Sequence, residues 1–173
     1  PMIIFKGKTK RTLTNPADRV TESQLNDSEI LIRYQSNAWC TSNLYCDFIK
    51  NLPKEMKGKK VLIIHDNFEA HTTAEVKTVA NQLGYSLYCL PPNATWACQP
   101  LDVCINKPFK SRLKEKYNTN LMTAFETEKG NKFKVMKKDL VDWVKTSFGE
   151  IDTDMTQNSF TVCGFDVSPV DTS

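Results

Sequence analysis

The chain has only two histidines, His65 and His71, and neither is spaced from a cysteine as zinc ligands are. Its six cysteines, Cys40, Cys46, Cys89, Cys98, Cys104 and Cys163, contain no Cys-x-x-Cys pair. They are expected to be reduced, mostly buried thiols of a cytosolic or nuclear protein. No glycine-rich phosphate loop of the Walker or dinucleotide type occurs, which argues against an unrelated α/β enzyme such as a phosphotransferase. No apolar run reaches the roughly 18 residues of a membrane-spanning helix, and no signal peptide is recognisable. No membrane association and no small-molecule cofactor are therefore expected. No initiator methionine precedes the apolar run Pro1–Phe5, so the sequence is expected to be a fragment.

Basic residues are absent after Lys145, while Glu150, Asp152, Asp154, Asp166 and Asp171 follow it. Residues 1–149 thus hold all 23 bases against 15 acids, a net charge of +8 where the whole chain carries +3. Such an excess suits a polyanionic partner such as DNA, although a solvated lysine-rich surface has the same composition. With 40% hydrophobic residues, the 173-residue chain can bury the core of one domain.

Hydrophobic patterning predicts strands at Met2–Phe5, Ile30–Tyr34, Val61–Ile64 and Tyr85–Leu90. Val61–Ile64 is apolar throughout, as in a strand covered on both faces. A helix is expected after Trp39, capped by Thr41 or Ser42, with Leu44, Tyr45, Phe48, Ile49 and Leu52 inward. Another is expected over Thr72–Leu83, stopped by Gly84. The strand–helix–strand unit between Val61 and Leu90 implies a parallel pair with a crossover helix. A basic helix should open at Asp102, tolerate Pro108 in its first turns and run to about Tyr117. One or two more helices are expected over 119–149, with Leu140, Val141, Val144 and Phe148 inward.

Two aspartates stand just beyond strands: Asp66 after Val61–Ile64, and Asp102 after Tyr85–Leu90, with 35 residues between them. Ligands of open α/β sheets gather at the carboxyl ends of strands. A carboxylate pair there suits Mg²⁺ or Mn²⁺ and phosphodiester chemistry. The competing reading is two helix-capping aspartates. His71 is positioned to contact a phosphate or a metal-bound water, or to be a first-turn surface histidine. Lys6, Lys8, Lys10 and Arg11, with Lys107, Lys110, Arg112 and Lys114 of the basic helix, are candidates to track a DNA backbone. Trp39 and Trp96 are candidates to stack on bases, with packing the stronger expectation for Trp39.

Several stretches resemble the DDE-superfamily transposase domain of the pogo/Tigger branch of the mariner superfamily. They are Ile3-Ile-Phe-Lys-Gly7, Trp39-Cys-Thr41, Leu62-Ile-Ile-His-Asp-Asn-Phe-Glu-Ala-His71, Leu90-Pro-Pro-Asn-Ala-Thr95, Gln99-Pro-Leu-Asp102 and Ser159-Phe-Thr-Val-Cys-Gly164. The resemblance implies an RNase H-like α/β fold, a two-metal site loaded with Mg²⁺ (or Mn²⁺), and hydrolysis plus strand transfer on transposon-end DNA. It makes Asp66 the second catalytic acid and Asp102 the third, both metal ligands. It implies a nuclear protein that binds DNA and that can form homo-oligomers.

The same resemblance aligns Ile3–Gly7 with the third strand of the fold. The first two strands, the first catalytic aspartate and the helix-turn-helix region are then expected to be missing. The implied layout is a partial catalytic core over 1–118, a C-terminal helical segment over 119–165 and an acidic flexible tail over 166–173. Without the first strand, strand 2–5 should be separated from strand 61–64. The isolated chain should then be poorly stable and catalytically incompetent. The alternative is a host-adopted, non-catalytic remnant that binds DNA or chromatin partners, a fate for which centromere protein B is a family-level precedent.

Overall fold

The computed structural model describes residues 1–7, 20, 27, 29–53, 56, 58–127 and 133–165. Lys8, Lys10, Arg11 and the tail 166–173 lie outside the described residues. The architecture is mixed α/β, with seven α-helices and two small parallel sheets among the described residues.

In the first sheet, β1 (Met2–Lys6) pairs in parallel with β2 (Leu31–Gln35), Met2 opposite Leu31 and Lys6 opposite Gln35. In the second, β3 (Val61–His65) pairs in parallel with β4 (Tyr85–Cys89), Val61 opposite Tyr85 and His65 opposite Cys89. No described strand joins the two pairs, so strands 2–6 and 61–65 are separate, as expected.

Each sheet has its own core. Helix α1 (Ser42–Lys50) follows β2 and is capped by Thr41, whose hydroxyl accepts from the Leu44 N–H at 3.4 Å. It lays Tyr45, Cys46 and Ile49 against Val76, Val79, Ala80 and Tyr85, with Val61, Ile63 and Leu87 at the margin. The other core gathers Phe5, Val20, Ile30 and Ile32 of the first sheet's neighbourhood under Val141 and Val144, flanked by Phe109, Leu113 and Leu140.

The crossover between β3 and β4 is not the single helix expected over Thr72–Leu83. It is split into α2 (Glu69–Thr72) and α3 (Ala74–Gln82) at Thr73, which is extended at φ −65°, ψ 155°. The Thr73 hydroxyl accepts from the Val76 N–H at 3.4 Å, so a β-branched cap restarts the helix. Gly84, at φ +74°, then turns the chain into β4 as expected of a helix stop.

Beyond β4 come α4 (Thr95–Cys98), a five-residue π-helical turn (Leu101–Ile105) and α5 (Asn106–Thr127). Asp102 therefore opens a π turn rather than an α-helix, and the helix runs ten residues past the expected Tyr117. Pro108 gives the physical reason. It has no N–H for the Cys104 carbonyl, and its ring would crowd that carbonyl in an α-helix, so the turn carrying Cys104 widens. Helices α6 (Lys137–Gly149) and α7 (Thr153–Val162) complete the chain, and α7 packs on the π turn.

Several burial expectations fail, and Phe148 of α6, expected inward, is 37% exposed. The strand Val61–Ile64 is not covered evenly on both faces: Leu62 of β3 is 55% exposed, while α1 and α3 lie against the side that carries Val61 and Ile63. Of the cysteines only Cys46 is buried. Cys89 is exposed at the end of β4, and the other four are half-buried in loops and helix ends.

Candidate functional site

The ladder between β3 and β4 ends where the first candidate acid begins. The Leu90 N–H donates to the His65 carbonyl at 2.8 Å, and the Asn67 amide donates to the Leu90 carbonyl at 2.5 Å. The Cys89 thiol donates to Asn67 Oδ1 at 2.9 Å. The Asp66–Asn67 turn is thus stitched across the carboxyl end of both strands.

Within this frame, Asp66 Oδ1 accepts from the Phe68 N–H at 3.1 Å and from His71 Nδ1 at 2.8 Å. The first bond is a two-residue Asx turn ahead of α2, whose N-cap is Phe68, so Asp66 does not cap that helix. The second reaches five residues on, from α2. His65 is buried, and its Nδ1 lies 2.8 Å from the Asp66 carbonyl. A carbonyl and a carboxylate only accept, so both imidazoles carry their proton on Nδ1 when neutral.

His71 is half-buried, not the surface histidine that is the alternative for a first-turn position. Its ring lies 4.0 Å from that of Tyr45, 5.3 Å from Phe68 and 5.9 Å from His65, centroid to centroid. Burial pulls the His71 pKa below its ordinary value, against the opposing pull of the Asp66 carboxylate. Tyr45 is pushed up to about 12, first by burial and then by the Asp66 charge beside it.

Asp102 lies exposed in the π turn, and its Oδ1 accepts from the Asn106 amide at 2.5 Å, one turn further on. Its side chain caps no backbone N–H among the described residues, so the capping alternative does not account for it. The Gln99 carbonyl accepts the Asp102 and Val103 N–H groups, both at 3.0 Å, so residue 99 braces this turn through its backbone. No hydrogen bond links Asp66 to Asp102 among the described residues.

The basic candidates divide. Lys107, Lys110 and Lys114 recur at i, i+3 and i+7 and form one exposed stripe on α5. Arg112 turns the other way, with Nε 3.3 Å from Glu150, which also holds Lys116 at 3.2 Å. Lys6 is exposed at the end of β1. Trp96 is 81% exposed and Trp39 is 63% exposed, so the packing expected for Trp39 is limited to one side, against the Phe68 ring at 6.2 Å between centroids. Sequence reasoning passed over His65, Asn67 and Asn106. The signals were there: Asn67 beside the acid, and Asn106 four residues after Asp102 on a helix.

The arrangement is that of an α/β protein with one acid in the turn after β3 and another in the π turn beyond α4, further along the chain from its parallel neighbour β4. Residues 1–160 match the family described as DDE superfamily endonuclease, and the chain belongs to that family. It is also similar to "Pogo transposable element with KRAB domain" from Mus musculus and from Homo sapiens. Each is 22% identical over 138 residues, covering 76% of this chain and 23% of the relative. The chain thus spans about a quarter of the length of those relatives. No solved structure matches the chain.

Proposed function

We propose that this chain is a transposase-derived endonuclease domain, in which Asp66 and Asp102 are the second and third catalytic acids. In this reading the two small sheets are parts of one RNase H-like sheet. The substrate is transposon-end DNA, the reactions are phosphodiester hydrolysis and strand transfer, and the setting is the nucleus. The observation that carries the reading is the fixed carboxylate of Asp66 at the carboxyl end of β3, with a second acid after its parallel neighbour.

The donor chemistry fits Mg²⁺ or Mn²⁺. Oδ2 of Asp66 and Oδ2 of Asp102 are oxygen ligands without a protein hydrogen bond among the described residues. The donor number falls short, since no group of three metal-ligating side chains occurs among the described residues. Bound ions supply Lewis-acid activation in this family of reactions. The protein's own share is to hold Asp66 in one orientation through His71 and the Phe68 N–H, and Asp102 through Asn106. The lysine stripe of α5, with Lys6, would carry the DNA backbone.

The shortage of ligands favours a second reading for the 173-residue polypeptide by itself, namely DNA or chromatin binding without cleavage. Mg²⁺-dependent nicking of DNA by the natural full-length protein separates the two. Losing a metal ligand removes several kcal/mol of stabilisation, on the order of a hundredfold or more in rate. Asp66→Asn should therefore abolish nicking while leaving DNA binding intact. Salt-steep binding that is indifferent to Mg²⁺, with no nicking by the wild type, supports the non-catalytic reading.

A further inference from the structure

Trp39 occupies an unusual position for the largest apolar side chain. The residue is 63% exposed, although tryptophan is highly buried on average. The backbone holds it there from both sides. Before it, Ala38 adopts φ +62°, a left-handed conformation disfavoured for a residue with a Cβ, and its N–H donates to the Gln35 carbonyl at 3.1 Å. The Asn37 side chain accepts from the Trp39 N–H at 3.1 Å. Two residues later Thr41 caps α1. A mobile loop would not need this bracing, and a core residue would not need this exposure.

The indole touches one ring among the described residues. Its centroid lies 6.2 Å from that of Phe68, with the planes tilted by 35°. Phe68 is the residue whose backbone N–H holds Asp66 Oδ1 at 3.1 Å. The carboxyl ends of β2 and β3 therefore meet at an aromatic step beside the candidate catalytic carboxylate. Hydrophobicity alone would bury this ring. A flat, rigid surface fixed next to a group that acts on a phosphodiester suits the base attached to the neighbouring sugar.

We infer that Trp39 is a stacking platform for an unpaired nucleobase at the Asp66 edge. The inference rests on the nucleic-acid reading of that edge. Stacking is indifferent to base identity, because every base has a π-face, so the platform positions a nucleotide without reading sequence. Under that reading Lys6 and the α5 lysines carry the phosphate backbone, a contact separate from base stacking. Trp39 is a binding and positioning residue here, not a catalytic one.

The experiment compares a single-stranded thymidine oligonucleotide with an abasic oligonucleotide of equal length and equal phosphate count. Binding of wild type, Trp39→Ala and Trp39→Phe is followed by fluorescence anisotropy. The wild type should prefer the base-bearing strand by about 5- to 150-fold, the value of one stacked base. Trp39→Ala should lose that preference while keeping the wild-type affinity for the abasic strand and the wild-type salt dependence. Trp39→Phe should retain most of it. An alanine variant that keeps the full preference overturns the inference and leaves the nucleic-acid reading standing. Failure of the wild type to bind either strand overturns both. Trp39→Ala loss of self-association by sedimentation, with its base preference unchanged, would assign the ring to a protein contact and overturn the inference.

Discussion

His71 donates through Nδ1 to Oδ1 of Asp66 at 2.8 Å, and the same imidazole lies against the Tyr45 ring at 4.0 Å. The carboxylate at the end of β3 is therefore oriented by a side chain that is itself gripped by the core. Supporting residues of this kind typically carry 10- to 100-fold of a metal site's affinity. We expect His71→Ala in the natural full-length protein to weaken Mn²⁺ binding by about that factor with little change in DNA affinity. Isothermal titration with Mn²⁺ alone, then with a labelled duplex, checks both halves.

The lysine stripe and Arg112 should behave differently in DNA binding. Each phosphate neutralised on B-DNA contributes about 0.9 to the slope of log K against log salt. Replacing Lys107, Lys110 and Lys114 with Gln should lower the slope by up to about 0.9 for each lysine that meets a phosphate. Arg112→Ala should leave the slope unchanged, since Glu150 already holds that guanidinium. A fall in slope for Arg112→Ala equal to that of the lysines would put Arg112 on the DNA face.

Two cores under two strand pairs that no strand joins among the described residues should not unfold as one unit. Ile49 is fully buried in one core and Val141 in the other. Ile49→Ala should cost about 2–5 kcal/mol, and Val141→Ala about 1.5–3 kcal/mol. Each should move a different part of the urea transition of the 173-residue polypeptide, read by amide hydrogen exchange. A single cooperative transition, shifted alike by both, would contradict this expectation and the poor stability predicted from sequence.

Acid should loosen the contact between α6 and the segment before β2. Lys145 Nζ lies 2.6 Å from Asp27 and 2.9 Å from Glu29. The Asp27 carboxyl is held below its ordinary pKa by the Lys145 hydrogen bond first and the Glu29 N–H second. A depressed carboxyl pKa means that the unfolded chain binds the proton more readily. The stabilisation is therefore complete above the unfolded value of about 3.9 and is lost as pH falls through the lower folded value. Asp27→Asn should flatten the pH dependence of the melting temperature in that window, and an unchanged profile would contradict the assignment.

Much of the second sheet was legible because its signals are local. The apolar run Val61–Ile64, the crossover and the stop at Gly84 each depend on a few adjacent residues, and together they require parallel strands. The split at Thr73 was not legible, since a β-branched cap within an amphipathic pattern reads as one helix until its backbone is seen. Pro108 reads in the sequence as tolerated in the first turns of a helix, so the π turn ahead of it was not legible. The two aspartates could be named from their setting, whereas the bond from His71 could not, because α2 begins earlier than the pattern suggested. The face of Arg112 was available from helical spacing alone, while its partner Glu150 lies on another helix end.

The central claim is that Asp66 and Asp102 serve one site, and Mn²⁺ binding by electron paramagnetic resonance tests it most directly. The samples are the natural full-length protein and its Asp66→Asn, Asp102→Asn and doubly substituted variants. Ligands of one site couple, so each single substitution should remove most of the bound Mn²⁺ and the double substitution should add little. Unchanged Mn²⁺ binding in either single variant, or simple additivity of the two losses, would contradict the claim and leave these aspartates as separate structural residues.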